Sequence, residues 1–325
     1  MKVVALAGGV GGAKLAFGLD RALAPAGGAE AAAALTVIVN TADDLELHGL
    51  HVSPDLDTVM YTLAGLADRE RGWGLAGETW HGLEMLERYG AEAWFRLGDR
   101  DLATHIRRTA LLAQGTPLSS VTAALARALG IASTVLPMTD DRVRSRLRTA
   151  GGWLEFQEWF VRRRQADEVL EIRFDGASSA RPAPGVSEAI AAASLVVVCP
   201  SNPLVSIAPI LAVPGILEVL LGAAAPVVAV SPIVAGRALR GPADRMLGWA
   251  GAEVSAAGVA QLYAERYPRL IDGFVIDRRD RGQAPRIEGL GVAVLVEDAI
   301  IDADEARIAL ARALVAWSRR LPRTG

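Results

Sequence analysis

The N-terminal stretch KVVALAGGVGGAKLAFGLDRAL (residues 2–23) decides how the rest of the chain is read. Residues 2–7 form a short apolar, strand-like run, GGVGGAK follows at once, and LAFGLDRAL resumes with helical spacing. A strand, a glycine-rich turn and a helix in that order is the first half of a parallel α/β unit. Gly8, Gly9, Gly11 and Gly12 leave Val10 as the one residue of the turn with a Cβ, so backbone N–H groups can approach a ligand from the start of the helix. Phosphate suits that geometry, and Lys14 adds a mobile positive charge. The run is neither a complete GxxxxGK[ST] nor a clean GxGxxG, so a tight turn that merely packs helix on sheet is the plain alternative.

Later segments repeat the theme. ALTVIVN (34–40), ASLVVVCP (193–200) and APVVAVSP (225–232) are unbroken valine-rich runs, the pattern of parallel strands covered on both faces. TVLPM (134–138), FVIDRRD (274–280) and GVAVLVED near residue 291 are weaker strands, and a last helix is expected over about 303–318. The expected fold class is α/β: a doubly wound, mostly parallel, Rossmann-like sheet forming one domain over residues 1–325. In such sheets ligands sit beyond the carboxyl ends of the strands, where the strand order reverses. Valine-rich runs vanish between residues 61 and 130, which reads as a helical insertion over that rim. A smaller insertion spans residues 140–185, with WLEFQEWFVRRR and then the linker-like SSARPAPG.

The densest chemistry follows the second strand. VIVNTADDLELHGLHVSPDLDT (37–58) delivers Asp43, Asp44, Asp55 and Asp57 with two histidines. Any one aspartate is explained by helix capping. Two pairs beside a phosphate-cradling turn would repel one another unless a cation or a donor-rich ligand neutralised them. Oxygen ligands of this kind suit Mg²⁺, which combines one or two carboxylates with substrate phosphate oxygens and water. Zinc fits poorly, because no cysteine is near and hard carboxylates outnumber His48 and His51.

Two more loops carry polar groups at the expected rim. PSNPLVSIAPIL places Ser201 and Asn202 between Pro200 and Pro203, with Ser206 near a helix start. SPIVAGRALRGPADRM offers Arg237 and Arg240 to phosphate and Asp244 to a base or ribose. In the helical insertion, LGDRDLATH sets Arg100 between Asp99 and Asp101, a guanidinium held by acids and presented to a ligand, although a helix cap explains Asp101 alone. Seven tryptophans in the chain invite a stacking surface. Core packing is the ordinary fate of large aromatics, and Trp73, in a turn between Gly72 and Gly74, is the best candidate to stack on a flat ligand.

Composition excludes several classes of function. The chain has 325 residues, 51% hydrophobic and 22% charged, which suits a globular protein with a sizeable core. Its net charge is -3, with 34 Lys+Arg against 37 Asp+Glu, so no global positive field favours nucleic acid or an anionic membrane. The single Cys199 follows LVVV and reads as a buried strand end. The first apolar run is too short for a signal peptide or a membrane span, and a cytoplasmic protein is expected.

The ordered set GGVGGAK, VNTADD, SPDLDTVMYTLAG, RGWG, LGDRDLATH, PMTDD, FQEWFV, PSNPLVSIAPIL and SPIVAGRALRGPAD resembles the 2-phospho-L-lactate transferases of deazaflavin coenzyme F(420) biosynthesis, from residue 1 to about residue 300. The bacterial and actinobacterial branch is the nearest in motif. The resemblance implies transfer of a phospholactyl or phosphoenolpyruvyl group from a guanosine diphosphate derivative to the ribityl hydroxyl of 7,8-didemethyl-8-hydroxy-5-deazariboflavin, called Fo, with release of GMP. It implies Mg²⁺ as cofactor and a homodimer, that Ser201, Asn202 and Ser206 hold the guanosine diphosphate, and that Asp57 and Arg100 face the deazaflavin. For that chemistry Asp43 and Asp57 are expected to hold the Mg²⁺ with help from Asp44 and Asp55, and Gly8, Gly9, Gly11, Gly12 and Lys14 to border the diphosphate. The catalytic candidates are thus Asp43, Asp57 and Arg100. Two other readings stay open: a nucleotide-sugar-binding regulator of the related gluconeogenesis-factor group, and an NAD-dependent dehydrogenase that uses Asp43 or Asp44 on a ribose. No motif separates lactyl, enolpyruvyl and glyceryl donors.

Overall fold

The computed structural model describes residues 1–24 and 34–321. Seven strands form one parallel sheet: β1 Val3–Ala7, β2 Leu35–Val39, β3 Thr134–Pro137, β4 Leu195–Val198, β5 Val227–Val230, β6 Gly273–Asp277 and β7 Ala293–Glu297. Their order across the sheet is 7-6-5-4-1-2-3. The chain winds outward from β1 through β2 to β3, then crosses back to place β4 on the other side of β1. The strand order therefore reverses between β1 and β4. At their carboxyl ends the peptide planes diverge and leave a crevice.

The valine runs are unbroken because both faces of each strand are covered. Val3, Ala5, Ala7, Val37, Val39 and Val197 pack on one face against helices α1 (Gly9–Leu23) and α2 (Pro54–Leu63) and the C-terminal helix Asp304–Ser318. Val4, Leu6, Ile38, Val196 and Val198 pack on the other against Ile190, Ile216, Leu220 and Val259. An alternating polar pattern would have left one face unable to bury its helices. The weaker strands read from TVLPM, FVIDRRD and GVAVLVED are β3, β6 and β7.

Two excursions stand over the rim. After α2 come α3 (His81–Arg88), α4 (Asp99–Ala113) and α5 (Leu118–Ala128), of which α5 returns to the sheet and buries Leu118 and Ala126 beside β3. Between residues 144 and 175 the strands Arg144–Thr149, Gly152–Glu155 and Glu171–Asp175 form a three-stranded antiparallel sheet with Arg144–Thr149 in the centre. A π-helical turn, Glu158–Arg162, follows the second of them, and Phe156 just before it and Phe160 within it line the crevice. Cys199 is buried at the end of β4, and burial pushes its thiol pKa up, away from nucleophilic use. Among the described residues no single helix is long and apolar enough to cross a membrane.

Candidate active site

The crevice between β1 and β4 opens into a cavity of about 710 Å³. Its floor begins with the glycine run, which the structure makes the first turns of α1 rather than a loop before it: Gly8 is the N-cap and the helix starts at Gly9. The four glycines have different reasons to be there. Gly9 has φ +61°, a left-handed backbone that an L side chain rarely adopts. At Gly11 an added Cβ would lie 2.3 Å from the Pro200 carbonyl oxygen. Gly8 and Gly12 are pressed in the same way by Ser206 and Ser201. Packing thus accounts for Gly11 and Gly12, while the half-buried start of α1, which lines the cavity, retains the N–H groups that favour an anion. Ser201 Oγ locks the turn, accepting from Gly8 N at 3.1 Å and donating to Gly8 O at 2.8 Å.

The loop after β2 brings Asp43 to the floor and the first turn of α2 brings Asp55, while Asp44, next to Asp43, lies outside the lining; all three are buried. Asn40 holds them in register: its Nδ2 donates to Asp43 Oδ2 and Asp55 Oδ2, each at 3.0 Å, while its Oδ1 accepts from Ala42 N at 2.9 Å. One neutral amide between two acids does not cancel their charge. Burial, then the repulsion of Asp55, raises the Asp43 pKa well above its ordinary value. Burial likewise lifts Asp55 to about 6, against the hydrogen bonds from Asn40 and Gly9 that favour its ionised form. Asp44 accepts on Oδ2 from Ser53 Oγ at 2.8 Å and from His51 Nε2 at 3.0 Å. The other His51 nitrogen lies 2.9 Å from Glu46 Oε1. Burial opposes the imidazolium, but Asp44 and Glu46 outweigh it and hold the His51 pKa above its ordinary value. Asp43 Oδ1 and Asp44 Oδ1 are buried without a well-formed hydrogen bond, although the Ser145 hydroxyl beside Asp43 favours its ionised form.

A second acidic group is fully partnered. Asp57, inside α2, is gripped on both oxygens by Arg108 of α4, through Nη1 at 3.0 Å and more tightly through Nη2. Arg108 is completely buried. His105 and Asp101 follow on the same face of α4, and Tyr61 of α2 donates to Asp101 Oδ1 at 2.7 Å. Sequence reading missed Arg108, although Asp101, His105 and Arg108 recur at i, i+4 and i+7, the spacing of one helix face.

Other sequence candidates divide by position. Lys14 lines the cavity, with Nζ 2.5 Å from Asp302 Oδ1. Ser201, Asn202 and Ser206 line it too, and Asn202 Oδ1 caps its own turn by accepting from Leu204 N at 2.9 Å. Arg240 lines it; Arg237 does not, and Asp244 accepts from the backbone of Arg245. Arg100 lies outside the lining, and its guanidinium donates to the Ala76 carbonyl instead of to its flanking acids. Those acids have other partners: Asp99 accepts from His81 N and Gly82 N at the start of α3. The start of α4 is capped by Glu78, which accepts from Arg100 N and Asp101 N. Asp101 is therefore not a cap of its own helix.

The upper walls are aromatic and basic. Phe156 and Phe160 are stacked, centroids 5.3 Å apart, and face the cavity with Trp94 and Phe95. Trp73 is 40% exposed at the cavity edge, with Trp80 edge-on behind it and the Arg71 guanidinium 5.3 Å from its ring centroid. Trp159 is a core residue, fully buried, with Nε1 donating to Asp167 O.

Residues 3–304 match the family model described as 2-phospho-L-lactate transferase CofD. A phosphoenolpyruvate transferase from Kitasatospora aureofaciens is 46% identical over 323 residues, covering 96% of this chain and 98% of that one. One from Mycolicibacterium smegmatis is 40% identical over 96% of this chain and 97% of its own. Among solved structures, a UPF0052 family protein from Bacillus halodurans superposes with a TM-score of 0.64 at 15% identity, over 97% of this chain and 98% of that chain, a likeness of fold. The chain belongs to the 2-phospho-L-lactate transferase CofD family.

Proposed function

We propose that this protein transfers a phosphoenolpyruvyl group from a guanosine diphosphate-activated donor to the ribityl hydroxyl of Fo, releasing GMP, as a step of coenzyme F(420) biosynthesis. The phosphoenolpyruvyl donor is preferred to the phospholactyl one because the similar relatives carry that name. The observation that carries the reading is the buried Asp43, whose Oδ1 has no well-formed hydrogen bond, lining the cavity with Asp55 and the start of α1 at the reversal of strand order, with Asp44 Oδ1 likewise unsatisfied next to it in the chain.

In the reaction the ribityl oxygen forms a bond to the distal phosphorus, the bridging P–O bond breaks toward GMP, and the hydroxyl proton is lost to solvent. Such a transfer demands alignment and charge neutralisation more than covalent catalysis. The start of α1 and Lys14 would hold the diphosphate, with Ser201 keeping the turn rigid. Two hard carboxylate donors, of which only Asp44 has a cationic neighbour in His51, fit Mg²⁺. Among the described residues no three His, Cys, Asp or Glu side chains converge into a ready-made cation cage, so substrate oxygens and water would complete the shell. Asp43 and Asp44 would hold Mg²⁺, which when bound neutralises the diphosphate. Asp57, engaged by Arg108, joins them only by exchanging that partner. The stacked aromatic wall would exclude water and receive a flat ring.

The test is incubation with Fo, Mg²⁺ and each guanylated donor in turn, with mass spectrometry of the deazaflavin. The phosphoenolpyruvyl derivative should yield product and GMP. Release of no GMP from any donor would defeat the reading.

A further inference from the structure

We propose that Asp302 is a resident counter-ion for Lys14, an acid that holds the ammonium in the absence of an anion and yields it to the donor's diphosphate. This deepens the functional reading above and rests on it. Lys14 stands in the second turn of α1, and Asp302 in the loop between β7 and the C-terminal helix; both line the cavity. Lys14 Nζ donates to Asp302 Oδ1 at 2.5 Å, the one hydrogen bond this ammonium makes among the described residues. An ammonium carries three donors, so two remain for a ligand.

The two partners differ in freedom. The Asp302 main chain is fixed by Arg307, a residue only 5% exposed, whose Nη2 donates to Asp302 O at 2.8 Å and whose Nε donates to Ile301 O at 3.1 Å. Arg307 is itself wedged against α1. Its guanidinium lies 5.6 Å from the Phe17 ring centroid, and its carbonyl oxygen would sit 2.3 Å from a Cβ at Gly18. The Lys14 ammonium has no comparable anchor among the described residues. Helical side chains lean toward the N-terminus, and a lysine carries its charge on four flexible carbons, so Lys14 can swing to an anion at the start of α1. The acid's backbone is the fixed member and the ammonium the mobile one.

Exposure and charge make Asp302 the exchangeable partner. The Lys14 side chain is 13% exposed and that of Asp302 72%. A mostly buried ammonium is costly without an anion, whereas a carboxylate at the cavity edge is hydrated as soon as it is released. The next acid along is committed, since Asp304 pairs with Arg69 and Arg307. The hydrogen bond from Lys14 holds the Asp302 carboxyl below its ordinary value, and Arg240 and Arg307 act in the same direction, so the acid is ionised at every pH at which a diphosphate is. Asp302 therefore competes with any anion at the start of α1. It weakens donor binding and takes Lys14 back as GMP leaves.

Calorimetric titration with GDP at fixed Mg²⁺ tests the exchange. Asp302→Asn, at an exposed position, should tighten GDP binding about fivefold, the upper end for a partly exposed pair, while Asp302→Glu, which keeps the counter-ion, should stay within about twofold of wild type. Lys14→Met should weaken GDP about tenfold, and in that background Asp302→Asn should change nothing, because the acid acts through the ammonium. In turnover Asp302→Asn should lower the donor KM by the same factor without raising kcat, a split that a merely structural role would not give. Unchanged or weaker GDP binding by Asp302→Asn would overturn the proposal, as would a gain that persists beside Lys14→Met and so reports bare charge. GDP affinity of Lys14→Met equal to that of wild type would overturn it too, by placing the diphosphate away from Lys14. A wild-type protein that binds no GDP would overturn the functional reading, and the counter-ion role with it.

Discussion

Two groups of aspartates meet at one cavity in opposite electrostatic states, all but Asp44 lining it. Asp57 and Asp101 are neutralised by partners on the helical insertion, Arg108 above all. Asp43, Asp44 and Asp55 share one amide, the Ser53 and Ser145 hydroxyls, the His51 imidazole and a backbone N–H, and two of their oxygens lack a well-formed hydrogen bond. The same residue type therefore does two jobs. A buried acid with its own arginine is a finished structural unit, and removing the arginine strands a charge. A buried acid without one is held at a cost that only a positive ligand offsets, which makes the unfinished group the functional one.

The strongest way to break this contrast is Asp43→Asn. Turnover should fall by about 10³-fold or more, and Mn²⁺ binding followed by electron paramagnetic resonance should be lost, with no fall in melting temperature because a repelling charge is gone. Near-normal turnover would erase the distinction. Arg108→Met should show the reverse pattern, losing about 3–5 kcal/mol in denaturant unfolding, with Asp57→Asn in the same chain recovering a large part. A loss below about 1 kcal/mol would mean the finished pair is not structural.

Acidity sharpens the comparison further. Asp43 and Asp55 hold protons more tightly in the folded state than in the unfolded one, so the folded state binds more protons and stability falls as pH rises. The decline should begin near the ordinary carboxyl value of 3.8 and, for Asp55, be complete once pH passes about 6. Its size is on the order of 2–3 kcal/mol by the free energy of a pKa change. Saturating Mg²⁺ should flatten it, and a metal-free protein whose stability rises over that range would contradict the assignment. Ser53→Ala carries the smallest effect. It removes one of the two donors to Asp44 Oδ2, which should cost about 1 kcal/mol and raise the Mg²⁺ concentration for half-maximal activity about threefold; no change in that concentration would separate Asp44 from the metal.

The contrast also marks what could be read from the chain. Valine-rich runs announced β1, β2, β4 and β5 because burial on both faces leaves a local signature. The crowding of Asp43, Asp44, Asp55 and Asp57 was visible for the same reason, since the four lie within fifteen residues of one another. Their division was not. Arg108 is 51 residues from Asp57, and a pairing across two helices has no local trace beyond a polar stripe on α4. Arg100 was the more conspicuous arginine, set between two acids, yet those acids cap helices or bind Tyr61 and leave its guanidinium to a carbonyl. The antiparallel sheet over 144–175 was hidden by its charge, since RSRLRT sets an arginine at every other position, buried at Arg144 and exposed at Arg148, rather than an apolar run. The glycine run was legible as a close approach, but whether Cβ atoms are excluded by a ligand or by the Pro200 carbonyl depends on a strand nearly two hundred residues away.

The central claim is most directly tested by a crystal structure with Mn²⁺ and GDP, the ion located by its anomalous signal. The account predicts the ion about 2.1–2.2 Å from Asp43 Oδ1 or Asp44 Oδ1, the diphosphate at the start of α1, and the Asp57–Arg108 pair unbroken. An ion bound elsewhere, with those two oxygens still unpartnered, would contradict it.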